Sequence, residues 1–244
     1  MIAEVIFSGS FSPSYKFREN GVEPVNLYDG EKIPLNITSA IILPADRTFF
    51  TYGKGSIDPS DAAKEAFYRM ATGAKVVLMH PGGFLPVYRR LKAEGTKLVL
   101  DTGWDDELSF SKYGAYLELA DYYTPNRKEA MQITGASSPE AAAEQLRAYF
   151  DRVVVKVDKD GCIGIDGGEQ FFVPSVDEFQ NEDSTGAGDA FLAGFVYGLM
   201  HDCPLRQCIA YGNITGGKAV TAVGALSAYV TEAELQAYYG KYYR

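Results

Sequence analysis

The sequence predicts an α/β fold around a central, mostly parallel sheet, and three observations carry that prediction. The runs AKVVLM at 74–79 and RVVVKV at 152–157 are short and continuously apolar, as strands buried on both faces are. From Asp58 onward such runs alternate with stretches of helical spacing, a pattern that specifies right-handed crossovers between parallel strands. A chain of 244 residues, 46% hydrophobic and 23% charged, is long and apolar enough to bury a sizeable core.

Taken in order, residues 1–21 form an atypical N-terminal segment in which 3–7 reads as a strand. Residues 22–55 read as a small antiparallel sheet: a strand at 25–28, a turn at Asp29-Gly30, then strands at 36–43 and 47–52. Residues 56–244 hold the core. Asp58 or Ser60 caps a helix over 62–70, 74–79 is a strand, and 85–94 is a helix that tolerates Pro86 in its first turn. A strand at 97–100, a helix over 106–119 and a strand end at Tyr122-Tyr123 follow. Helices over 127–133 and 138–149 lead into the β-branched strand 152–157, and 161–173 is a hairpin turning at Asp166-Gly167-Gly168. The last third is helical, at 187–200, 205 to about 223, and 232–239.

Charge and composition narrow the partners. Lys and Arg total 23 against 32 Asp and Glu, a net charge of −9 that argues against a nucleic-acid or anionic-membrane surface. The apolar stretch 214–230 is broken by Lys218 and by glycines, so no bilayer-spanning run is expected. Cys162, Cys203 and Cys208 form no CxxC pair and are odd in number, which suits a reducing cytoplasm. With only His80 and His201 available, and neither beside a Cys and carboxylate cluster, no zinc site is expected, and residues 1–11 carry no signal-peptide pattern.

The segment Asp183-Ser-Thr-Gly-Ala-Gly-Asp189 opens an apolar helix. Gly186, Ala187 and Gly188 would expose backbone N–H groups at the positive end of a helix dipole, an arrangement suited to phosphate. A carboxylate at that end, Asp189, has a task only if it accepts a proton from an attacking hydroxyl; otherwise it caps the helix. In Thr124-Pro-Asn126-Arg-Lys-Glu129, the spacing sends Asn126 and Glu129 toward the C-terminal edge of the sheet, where open α/β sheets bind ligands. The same spacing suits a capping box. Asp101 and Trp104 lie just beyond a strand end near that edge, with Asp101 equally suited to capping the next segment, and His80 reads as a structural histidine.

With TPNRKE at 124–129, VVVKVDKDG at 153–161, DSTGAGDAFLAGF at 183–195 and the 213–225 segment ending in VGA, the chain resembles the ribokinase-like (PfkB) family of carbohydrate kinases from about residue 22 to the C-terminus. The resemblance implies a three-layer sandwich with a small β-lid, and transfer of the γ-phosphoryl group of ATP to a hydroxyl of a sugar or sugar-like small molecule. It implies Asp189 as catalytic base, with the N–H groups of Gly186, Ala187 and Gly188 as the anion hole. Asn126 and Glu129 would orient the phosphates and a water-held Mg2+. Lys156, Gly161 and Asn213 would border the nucleotide, Lys156 standing where many members carry Thr. Asp183 and Thr185, with backbone carbonyls at 219–224, match a monovalent-cation site, K+ in some members. Residues 25–53 correspond to the lid that covers the sugar and mediates homodimers, with Asn36, Thr38 and Arg47 as sugar-contact candidates and solvated strand faces as the alternative. Family members usually begin with a further strand, an early Asp, and a Gly-Gly and Asn motif that residues 1–21 do not carry, so either the true start lies upstream, the chain is a shortened derivative, or substrate groups have been replaced, and the chain as given is expected to be a poor catalyst. The alternative function is a non-catalytic nucleotide- or sugar-binding remnant.

Overall fold

The computed structural model describes residues 2–4, 14–25, 27, 37–42, 47–52, 58–103 and 105–244. They divide into two compact units, one of residues 1–74 and 81–96, the other of 75–80 and 97–244.

The first unit begins with β1 (Ile2–Glu4), α1 (Ser14–Glu19) and β2 (Glu23–Val25). β2 pairs in parallel with β1, whereas the sequence suggested an antiparallel partner and a strand at 25–28. The short helix α1 supplies the crossover that parallel pairing requires, and nothing in its composition announced it. β3 (Ile37–Ile42) and β4 (Arg47–Tyr52) form the expected antiparallel pair. α2 (Asp61–Ala71) is capped by Ser60, whose side chain accepts from the Ala63 N–H, which decides between the two cap candidates. In this unit α3 (Leu85–Ala93), with Pro86 in its first turn, meets α2 through Phe67, whose ring lies edge-on to Phe84 at 5.0 Å and Tyr88 at 5.7 Å.

The second unit is a three-layer sandwich. Its sheet starts with parallel strands β5 (Val76–Met79), β6 (Lys97–Leu100) and β7 (Tyr122–Tyr123). A parallel bridge from Asn126 to Lys156 continues it into antiparallel β8 (Arg152–Lys156), β9 (Gly161–Asp166) and β10 (Glu169–Pro174). Between β6 and β7, α4 is confined to Phe110–Leu117 rather than 106–119. The reason is local: the Asp105 carboxylate accepts from the Glu107 N–H in a turn that delays the helix until Ser109. One layer is α5 (Arg127–Thr134) and α6 (Pro139–Leu146), packed on β8 and, for α6, β9. Opposite lie α7 (Ala187–Met200) and α8 (Leu205–Ala219), whose Phe191, Phe195, Leu199 and Ile209 share a core with Val99, Val154 and Cys162. α9 (Glu232–Tyr242) packs on α8 through Leu235 and a series of tyrosines, one turn longer than its periodicity suggested. α7 and α8 approach closely because Gly194 has no side chain; a Cβ there would lie 2.4 Å from the Tyr211 carbonyl oxygen. α8 stops at Ala219, short of the expected 223, because the Val220 carbonyl is taken by the Glu182 and Asp183 N–H groups instead of continuing the helix.

Candidate active site

The loop 182–186, which leads into α7, is held by both local and long-range bonds. One carboxylate oxygen of Asp183 accepts from the Thr185 N–H (3.0 Å) and hydroxyl (2.7 Å), and the other from the Gly224 N–H (3.0 Å). Gly186 is the N-cap of α7 in a left-handed conformation (φ 78°). A Cβ on Gly186 would meet Ala225 Cβ at 2.6 Å and Cα at 2.9 Å, so the position demands glycine on two counts.

No side chain caps α7. This overturns the reading of Asp189 as a helix cap: it sits in the first turn, exposed, and its carboxylate makes no hydrogen bond or ion pair with any described residue. The Ala187 N–H reaches back to the Ser184 carbonyl at 3.3 Å, a long bond, while the N–H groups of Gly188 and Asp189 precede the first intrahelical donor, Ala190. The helix therefore presents uncapped donors and an unengaged carboxylate on one turn.

Asn126 and Glu129 do form a capping box. Asn126 Oδ1 accepts from the Glu129 N–H (3.0 Å) and Glu129 Oε2 accepts from the Asn126 N–H (2.9 Å). Both the structural and the functional reading are compatible with that geometry, since the cap leaves the Asn126 NH2 as a donor end. Glu129 is only 4% exposed, and burial pushes its carboxyl pKa up against the lowering effects of the Asn126 N–H and of Lys156. Thr124, fully buried two residues earlier, has a hydroxyl without a hydrogen-bond partner among the described residues.

Lys156 is brought to the same edge. Its N–H donates to the Pro125 carbonyl at 2.9 Å, and its ammonium lies 3.7 Å from Asp101 and 5.6 Å from the Phe191 ring centroid. A Cβ placed on Gly188 would be 3.8 Å from Lys156 Nζ, so strand β8 and the first turn of α7 converge. Asp101 accepts from the Gly103 N–H at 2.8 Å, the local role anticipated, and in addition faces Lys156.

Two expected nucleotide neighbours are taken up by the fold. Asn213 is buried; its NH2 donates to the Val173 and Pro174 carbonyls at 3.0 Å each, and its oxygen accepts from the Cys162 thiol. Gly161 runs against β10, where a Cβ would lie 2.2 Å from the Val173 carbonyl oxygen. A residue the sequence did not single out, Arg127, ties the site together: its guanidinium donates to the Val157 carbonyl (2.9 Å) and pairs with Asp158 (2.7 Å) and Asp160 (3.3 Å). Its place inside TPNRKE was the available signal. Asn36 and Trp104 lie outside the described residues, as do the side chains of Thr38 and Arg47. His80 is exposed.

Among the described residues no three His, Cys, Asp or Glu side chains cluster as a metal site, and no helix is long and apolar enough to cross a membrane.

The sandwich, with acceptor-free helix donors at the C-terminal edge of its sheet, defines a ribokinase-like α/β protein. It resembles the ribokinase of Giardia lamblia at a TM-score of 0.79 and 17% identity over 98% of this chain and 82% of that one. It also resembles phosphofructokinase-2 of Escherichia coli in complex with potassium, at 0.75 and 16% over 100% and 82%. Residues 16–232 match the pfkB family carbohydrate kinase, and the chain belongs to that family. An uncharacterized sugar kinase of Archaeoglobus fulgidus is 32% identical over 103 residues, 42% of this chain and 41% of that protein. A 1-phosphofructokinase of Haloferax volcanii is 30% identical over 158 residues, 59% and 49% of the two chains. The chain thus spans less than half the length of these curated relatives.

Proposed function

We propose that this chain transfers the γ-phosphoryl group of ATP to a hydroxyl of a sugar or sugar-like small molecule, with Asp189 as the base. The observation that carries the reading is the first turn of α7, where uncapped N–H groups and a carboxylate bonded to no described residue stand side by side. An acceptor hydroxyl oxygen attacks the γ-phosphorus and its proton passes to the Asp189 carboxylate. The bond from the γ-phosphorus to the bridging oxygen breaks, and that oxygen leaves with ADP. The N–H groups of Gly186, Ala187 and Gly188, of which that of Ala187 also holds the long bond to the Ser184 carbonyl, offset the charge that develops on the transferred group, at the positive end of the α7 dipole.

Glu129, one buried carboxylate beside Asn126, suits a Mg2+ bound chiefly by phosphate and water. When bound, Mg2+ would supply charge neutralisation across the phosphates. Lys156, Gly161 and Asn213 belong to the nucleotide side, Asn213 by fixing the Val173–Pro174 backbone. Asp183 already accepts protein donors at both oxygens, so it would act on a K+ ion mainly through its charge. The β3–β4 hairpin is two-stranded among the described residues, and we assign its outer edges to a homodimer contact. The three unpaired cysteines suit a cytoplasmic location.

The test is ADP release from MgATP against a panel of sugars and nucleosides, with the phosphorylated product identified by 31P NMR. Turnover with one acceptor supports the reading. Binding of ATP and a sugar by calorimetry with no product after prolonged incubation would make the chain a non-catalytic binding member instead.

A further inference from the structure

Two arms of chain meet at the first turn of α7, and both rest on α9. The first arm, 175–186, leads into the turn; the second, 220–231, joins α8 to α9. Val176 and Phe179 of the first and Val230 of the second share one apolar cluster with Leu235, Tyr238 and Tyr242 of α9. The Phe179 ring lies edge-on to Tyr238 at 5.1 Å and fills the space over Gly217 of α8, where a Cβ would lie 2.7 Å from it. The second arm reaches the turn itself, through Ala225 against Gly186 and the Gly224 N–H on Asp183.

Between Phe179 and Asp183 the first arm is thinly held. Gln180 and Asn181 are exposed and hydrogen-bond to no described residue, and the exposed Glu182 donates its N–H to the Val220 carbonyl at 2.8 Å. A segment with so few buried contacts opens locally at low cost unless its ends are fixed. The end toward α9 is fixed by Glu178, five residues before Asp183. Its carboxylate accepts from the Lys241 ammonium at 2.5 Å and from the Tyr242 hydroxyl, with Tyr238 in electrostatic range. Glu178 is 36% exposed, and a pair that open to water adds little to the stability of the whole chain. Its effect therefore falls on the stretch with the fewest other bonds, the one that carries Gly186 to the head of α7.

We propose that α9 sets the anion-binding turn, with Glu178 as a positioning residue. Bonded to Lys241 and Tyr242, it holds 179–186 where the N–H groups of Gly186, Ala187 and Gly188 face a phosphoryl group; released from them, it lets that turn open. This rests on the phosphoryl-transfer reading given above and adds to it the element that keeps the turn formed before phosphate arrives.

The experiment is backbone hydrogen exchange by mass spectrometry on the full chain, on Glu178→Ala, on Lys241→Met and on the charge-swapped pair Glu178→Lys with Lys241→Glu. Calorimetry with a non-hydrolysable ATP analogue and Mg2+, and kcat and KM for the sugar found to be the acceptor, accompany it. In Glu178→Ala, residues 180–188 should exchange roughly two- to tenfold faster and the analogue should bind more weakly by a similar factor, the worth of a partly exposed ion pair with its hydrogen bonds. The interior of α7, 191–199, should exchange as in the parent, kcat should fall while KM for the sugar holds, and the melting temperature should move by at most about 4 °C. The charge-swapped pair should recover both protection and affinity. Should Glu178→Ala melt lower than that, Lys241→Met, which keeps the Tyr242 bond, takes its place in the same comparison. Unchanged exchange over 180–188, faster exchange confined to 238–244 or spread evenly over α7 and α8, or a loosened turn with unchanged analogue affinity and kcat would each overturn the inference and leave the phosphoryl-transfer reading standing. A parent chain that neither binds the analogue nor turns over overturns both.

Discussion

Replacing Asp189 by Asn removes a proton acceptor and one negative charge while keeping the size of the side chain. The structure sets the stability side of the outcome. Asp189 caps nothing and pairs with nothing described, so the loss is confined to its favourable placement at the α7 N-terminus, about 0.3–1 kcal/mol. For a chain of this size that is a melting shift of at most about 4 °C. The kinetic side is far larger: losing a general base lowers the rate by roughly a hundred- to ten-thousandfold, or about 3–5 kcal/mol of barrier at 1.36 kcal/mol per decade. The two effects thus differ several-fold in energy, and measuring both separates the roles. Single-turnover phosphoryl transfer and a thermal melt on Asp189→Asn are the assays, with ATP binding by calorimetry as a control that should hold or tighten slightly. A melting temperature lowered by 8 °C or more with an unchanged single-turnover rate would refute the assignment and return Asp189 to a structural role.

Three further outcomes follow from the same geometry. Glu129→Gln can still accept the Asn126 N–H, and because burial raises the Glu129 pKa above its ordinary 4.5, the ionised side chain costs stability that the protonated one does not. The parent should therefore lose stability relative to the variant as pH rises from about 4 through the raised pKa, leaving Glu129→Gln melting at or above the parent at pH 7 while its Mg2+-dependent turnover falls; melts at both pH values check the sign. Gly186→Ala forces a left-handed alanine onto Ala225, and the backbone strain alone costs roughly 1–2 kcal/mol, so a melt lowered by about 2–8 °C and loss of turnover are expected. Sedimentation at high micromolar concentration should show a dimer that Pro substitution of Thr51 in β4 dissociates; a monomer throughout would remove the lid contact.

Within the core, local pattern was sufficient to locate most elements. Strands such as β8 and helices such as α7 announce themselves because burial imposes a period of two or 3.6, or a continuous apolar run, on neighbouring residues. The glycine-rich opening of α7 was legible for a similar reason, since a helix start that leaves its N–H groups open needs small residues within four positions. The N-terminal residues were read less well. The parallel pairing of β1 with β2 joins positions 21 apart, as Ile2 with Glu23, and leaves no periodic trace.

What the sequence by itself determined is thus the set of elements in the sheet sandwich and the segments that could meet a phosphate, because both are written in residues a few positions apart. What only the tertiary structure decided is how those segments meet. Asp183 is tied to Gly224 across 41 residues, Glu129 is buried with a raised pKa in a capping box, Asp189 is left unengaged, and Lys156 arrives beside Gly188 facing Asp101. Hydrogen bonding and desolvation act on atoms within a few ångströms in space, however far apart they lie along the chain. The choice between a capping carboxylate and a free one is made only when strands and helices converge at the edge of the sheet.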